Sequence, residues 1–256
     1  AVLVLVVAGL LLAGADASRA QVGAGAFYRV VPHWVMNTIF GAAFGFAILA
    51  LAIAVRSFWR DAGDPGDAVT AAKILKATRD VATLRYLDGG GDGCTYPNEA
   101  PSMARRWFHH ATFYGFLSCF AATTVAAVYE LLGWPSPFPF WSAPVLLGTL
   151  GGIGLVIGPV GLLVLKARSD EAPYPRTGMD VAFLVLLLLT STSGLLLLGF
   201  RETSAMGALL LVHLGVVLGV FITMPYGKFV HAAHRYAALV RYAIEMARPP
   251  PHAPKA

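Results

Sequence analysis

Runs of about 20 apolar residues recur along this chain, and each is long enough to cross the hydrocarbon core of a bilayer. The spans they predict are Ala1–Gly14, Pro32–Trp59, Trp107–Leu132, Ser142–Leu165, Met179–Phe200 and Thr203–Tyr226. The last is expected to continue as a helix beyond the membrane to Met246, where Pro249, Pro250 and Pro251 stop it. The first is short and apolar from its first residue, without the basic stretch that opens a signal peptide. It points to a chain that begins inside a longer parent sequence or at a processed start. Charged residues make up 13% of the chain, about half the share usual in soluble domains. The expected fold is an all-α transmembrane bundle of about six helices over 1–246, with a tail at 247–256 predicted to be disordered and cytoplasmic.

Assigning alternate loops to opposite sides tests that reading. All of the 19 Lys and Arg except Arg19, Arg29 and Arg201 fall on one side: in Arg56–Arg106, in Lys166–Arg176, or from Lys228 onward. Positive charge gathers on the cytoplasmic side of membrane proteins, so this side is predicted to face the cytoplasm. The basic pI of about 9.4 therefore reflects topology. No basic stripe with interleaved aromatics points to nucleic acid.

The sizeable polar insert lies between the second and third spans, over roughly 60–104. Within it, Asp67–Leu87 places Ile74, Val81 and Leu84 on one face and Lys73, Lys76, Arg79 and Asp80 elsewhere. This predicts an amphipathic helix whose apolar face meets membrane lipid or a partner protein. The glycine-rich stretch from Asp88 to Pro97 lacks phosphate-loop spacing and reads as a connector. In the fourth span, Gly148, Gly151, Gly152, Gly154, Gly158 and Gly161 predict close helix contact.

Two cysteines, Cys94 and Cys119, are too few for an iron–sulfur cluster, which takes about four thiolates. No catalytic residue is predicted: there is no His-Glu-x-x-His motif and no nucleophile with a base nearby in sequence. Acidic groups are missing from the middle of every predicted span, with Glu130 and Asp180 at ends. That argues against a small-solute transporter driven by protons or cations.

Histidine remains. His252 is in the tail, and His33 sits shallow at the outer interface. His109 and His110 begin the third span, about 5 Å in from the cytoplasmic side at 1.5 Å per residue. His213 and His231 are 18 residues apart, about five turns of one continuous helix, and so are expected to point the same way. Neutral imidazole ligates haem iron, and a bundle can hold the ring between facing helices. His109 or His110 opposite His231 is thus a candidate axial pair, with Arg105, Arg106, Lys228 and Arg235 near the propionates. His213, much deeper, has no second histidine at its level on the third span, which leaves a second haem unsupported. Interfacial histidines also serve as hydrogen-bonding anchors, and spacing alone does not choose between these roles.

The strings FYRVVPHWVM, LRYLDGGGDGCTYPNEAPSMARRWFHHATFYGF, LLGTLGGIGLVIGPVGLL and MPYGKFVHAAHRYAALVRYAIE resemble the membrane part of the tricarballylate-utilization protein B (CitB-like) family, from Phe27 to Glu245. That family's membrane part is similar in turn to the gamma-subunit cytochrome b of respiratory nitrate reductase. The resemblance implies electron transfer from a cytoplasmic FAD-dependent dehydrogenase, oxidising tricarballylate or a related tricarboxylate, through 4Fe–4S clusters and b-type haem to membrane quinone. Carried over by position, His109 or His110 with His231 would hold the haem, while His213 is a ligand or lines the quinone site. The family's cysteine-rich, ferredoxin-like region is absent from this sequence, so the clusters are expected in a missing N-terminal region or a partner. The rival reading is a haem-free anchor that docks the dehydrogenase and binds quinone.

Overall fold

The computed structural model describes residues 23–63, 66–88, 101–168 and 178–247. The first predicted span, Cys94, most of the glycine-rich connector and the tail beyond residue 247 lie outside them. The described residues contain helices and no strand: α1 (Ala26–Val30), α2 (His33–Asp61), α3 (Ala71–Ala82), α4 (Ala104–Leu131), α5 (Ala143–Arg168), α6 (Gly178–Gly199), α7 (Met206–Thr223) and α8 (Lys228–Glu245). Short 3-10 turns occupy Arg85–Leu87 and Met224–Tyr226.

Five of these segments, α2, α4, α5, α6 and Met206–Tyr226, are long and apolar enough to span a bilayer. Their surfaces are inverted relative to a soluble protein. Ile48, Leu49 and Ile53 on α2 and Leu150, Ile153 and Ile157 on α5 are exposed, while glycines turn inward. Hydroxyls inside the spans satisfy themselves locally: Thr112, Thr149 and Thr190 donate to carbonyls one turn back, at 2.7–2.9 Å.

Helices α4 and α5 form the tightest pair. A methyl on Gly151 would lie 2.7 Å from the Cys119 amide nitrogen and the Gly115 carbonyl. One on Gly115 would lie 2.9 Å from the Gly151 carbonyl. Backbone therefore touches backbone, the contact that the glycine face of the fourth span predicts. Helix α6 joins the pair where the Ser191 hydroxyl donates to the Gly152 carbonyl at 2.5 Å.

Contacts at both ends of the bundle bear out the alternation of the chain. At the basic end, Asp180 at the start of α6 meets Lys166 near the end of α5 (3.2 Å) and Lys228 at the start of α8 (2.6 Å). At the far end, Glu130 near the end of α4 meets Tyr28 of α1 and His33 of α2.

Two expectations change. The last span does not run on as one helix: α7 ends at Thr223, the Met224–Tyr226 turn follows, and Gly227 is extended. Pro225 has no amide hydrogen to offer and crowds the carbonyl one turn back, and with Gly227 extended just after it the helix breaks here, whereas α5 carries Pro159 within its length. The amphipathic helix is also shorter than predicted, and the chain itself covers part of its apolar face while Ile74 stays exposed. Ala77 packs with Leu239, Val240 and Ile244 of α8, flanked by Trp59 and Val81. The carbonyls at the end of α3 are capped from α4: Tyr114 Oη donates to Ala82 O and Arg106 Nη2 to Thr83 O, both at 2.7 Å.

Candidate functional site

His213 projects from the middle of α7 against α6. Ser193 Oγ donates to the Thr190 carbonyl at 3.1 Å, which uses its single hydrogen. His213 Nδ1, 3.0 Å from the same oxygen, must then be the donor in that contact. The neutral ring is thereby fixed as the tautomer whose Nε2 carries the lone pair. Gly194 makes room for the ring, since a methyl there would lie 3.0 Å from His213 Cε1. A hydrogen bond that fixes the far nitrogen is the usual outer support of a metal-bound histidine.

The two histidines at the start of α4 face different ways. His109 is seven residues before Phe116, and so on nearly the same helix face. Phe116 packs with Phe229 (4.8 Å between ring centroids) and belongs to the interior cluster around Ala47, Val220 and Met224. His110 lies edge-on to Trp107 and Tyr114, and Tyr114 reaches α3. Its Nε2 is buried without a hydrogen-bond partner among the described residues.

His231 is exposed on α8. The break at Pro225 and Gly227 separates it from the helix of His213, so the five-turn alignment of these two residues is lost. Lys228, expected near haem propionates, instead holds Asp180. Arg106 is engaged with Thr83 and lies 4.0 Å from Asp88, Arg105 is exposed, and Arg235 stacks over Tyr86. His234, outside the predicted set, stacks on Phe58 and lies 3.3 Å from the Ala54 carbonyl.

The far end holds an apolar cavity of about 240 Å3 among α1, α2, α4, α5, α6, α7 and the 133–142 loop. Its polar lining is Tyr28, Glu130, Ser136 and Arg201. Sequence spacing gave no sign of it, because these four residues come from separate elements. The isolation of Arg201 among non-basic outer loops was the available signal.

The comparisons with known proteins bear on the whole arrangement. The family model for citrate utilization protein B matches residues 1–252. The chain belongs to the citrate utilization protein B family. The citrate utilization protein B of Escherichia coli is 49% identical over 229 residues, covering 88% of this chain and 60% of that protein. This member thus spans about three fifths of that relative's length. No solved structure matches it. As a helical membrane bundle, this citrate utilization protein B family member offers His213, held by Ser193, as a nitrogen donor of the kind that haem iron takes, while His109 lies on the interior face nearer the basic end. The exposed His231 fits less well.

Proposed function

We propose that this chain is the membrane electron-transfer part of a tricarboxylate-oxidising system. It relays electrons from a cytoplasmic flavin and iron–sulfur dehydrogenase through b-type haem to quinone in the bacterial inner membrane. The observation that carries the reading is His213. A histidine in the middle of a span is costly unless it has work there, and Ser193 prepares its Nε2 to donate a lone pair.

When bound, haem supplies a one-electron carrier inside the bilayer. His213 is the residue we assign to hold it; His109, on the interior face but nearer the basic end, lies at a different depth and is not its partner on the same iron. Ser193 orients the His213 ring. The substrate class rests on the family name and on the expected dehydrogenase partner. The basic face around α3 and α8 is where that partner docks.

A second reading, the haem-free anchor that binds quinone, is favoured by the exposure of His231 and the broken helix, which leave the sequence-predicted pair unassembled. The reduced-minus-oxidised visible spectrum of the purified, haem-supplied chain separates the two. A low-spin b-type band that His213→Ala abolishes supports the relay. Absence of any band in the haem-supplied wild type would overturn it and leave the anchor.

A further inference from the structure

The far-end cavity contains polar groups that packing does not account for. Ser136 is 5% exposed, lines the cavity, and its Oγ is buried with no hydrogen-bond partner among the described residues. A buried hydroxyl left without a partner costs about 1–3 kcal/mol, so such a group in a cavity wall is expected to serve a ligand. Across the cavity, Glu130 accepts from the Tyr28 hydroxyl, and its other oxygen lies 3.3 Å from His33 Nε2. The Glu130 side chain is 17% exposed and the His33 side chain 49%. Together they form a short chain of titratable groups leading from the cavity to the far surface.

These features narrow the occupant. A free anion would meet the Glu130 carboxylate, and a cation would meet Arg201, whose Nη1 donates to the Phe138 carbonyl at 2.8 Å. A lipid tail would leave Ser136 unsatisfied. A neutral ring bearing carbonyl acceptors suits both the apolar walls, including Phe27 and Leu197, and the waiting hydroxyl. The volume is below the roughly 300 Å3 at which drug-sized sites begin, which suits a small ring system whose tail leaves between helices.

We infer that this cavity holds the head group of a membrane quinone, with Ser136 donating to one ring carbonyl and Glu130, refilled through His33, supplying protons from the far side of the membrane. The inference rests on the relay reading above and gives its acceptor a place. Gly194 makes the connection, because it lines the cavity and also abuts the His213 ring. A glycine is thus all that separates the proposed haem ligand from the quinone at that point. The reaction balances as a two-electron reduction. Two electrons that originate at the dehydrogenase and two protons are taken up, and the two ring C=O groups become C–OH.

The test uses the haem-supplied full chain in lipid nanodiscs, titrated with menadione as a short-tailed naphthoquinone. Binding is read by quenching of tryptophan fluorescence. Trp134 is a suitable reporter, since its ring centroid lies 4.4 Å from that of Tyr129, which packs on Phe138 in the cavity wall. Saturable quenching is expected. Ala126→Phe, which fills the cavity, should weaken binding about tenfold. The milder Ser136→Ala should weaken it about fivefold, which keeps the test decisive if the larger substitution misfolds. Glu130→Gln should slow menadione-dependent reoxidation of the reduced haem about a hundredfold at saturating quinone. Equal quenching in the wild type, Ala126→Phe and Ser136→Ala would overturn this placement; if menadione still reoxidised the haem, the relay would stand with its quinone elsewhere. Quenching lost on Ala126→Phe, in a chain whose haem no quinone reoxidises, would uphold the binding site and overturn the relay.

Discussion

Replacing Gly151 by alanine probes the contact on which the bundle is built. The added methyl would stand 2.7 Å from the Cys119 nitrogen and the Gly115 oxygen, and 2.8 Å from the Cys119 sulfur. Ordinary contact begins at 3.4 Å. The first two neighbours are backbone atoms of α4 and cannot swing aside as a flexible side chain would. The two helices must separate by several tenths of an ångström along a face where Gly115, Gly151 and Gly154 all approach closely. Overpacking of this kind costs about 1–3 kcal/mol. A population of opened pairs should therefore rise by about 5- to 150-fold. Cys119 reports that opening, because it sits in the contact and is a free cysteine. In a Cys94→Ser background, the alkylation rate of Cys119 by a lipid-permeant maleimide should rise by this factor in Gly151→Ala. Gly41→Ala on α2, where a methyl would meet nothing within 4 Å, should leave it unchanged. Equal rates in all three proteins would refute the claim that α4 and α5 meet backbone to backbone.

Ser193→Ala frees the His213 ring to choose its tautomer, so any haem band should shift or broaden while His213→Ala removes it; an unaltered Ser193→Ala spectrum would count against the tautomer argument. Arg106→Ala combined with Tyr114→Phe removes both caps on α3. The loss of about 2–4 kcal/mol, from one charged and one neutral hydrogen bond, should speed limited proteolysis within the 60–104 insert, and unchanged cleavage would mean that α3 is held by α8 alone. Single cysteines at Lys73 and Glu202, in a background lacking Cys94 and Cys119, should react with an impermeant maleimide from opposite sides of sealed vesicles. Labelling of both from one side would overturn the topology.

The membrane class, the spans and their alternation were legible in the sequence because each depends on local composition. A span must satisfy its backbone internally and cover itself with apolar side chains over a fixed length, and basic residues mark one side. The glycine face of α5 was legible for the same reason, since small residues at helical spacing permit only one kind of contact. The alignment of His213 with His231 was misread because it assumed one continuous helix, although Pro225 and Gly227 were visible between them. The covering of α3 by α8 was not legible, since an amphipathic face does not specify whether lipid, a partner or a distant segment of its own chain will cover it. The pinning of His213 by Ser193, the different neighbours of His109 and His110, and the meeting of Tyr28, Glu130, Ser136 and Arg201 around one cavity were decided by tertiary structure alone. Each depends on rotation and depth between helices distant in sequence, which hydrophobic periodicity leaves free and only side-chain packing across the bundle determines.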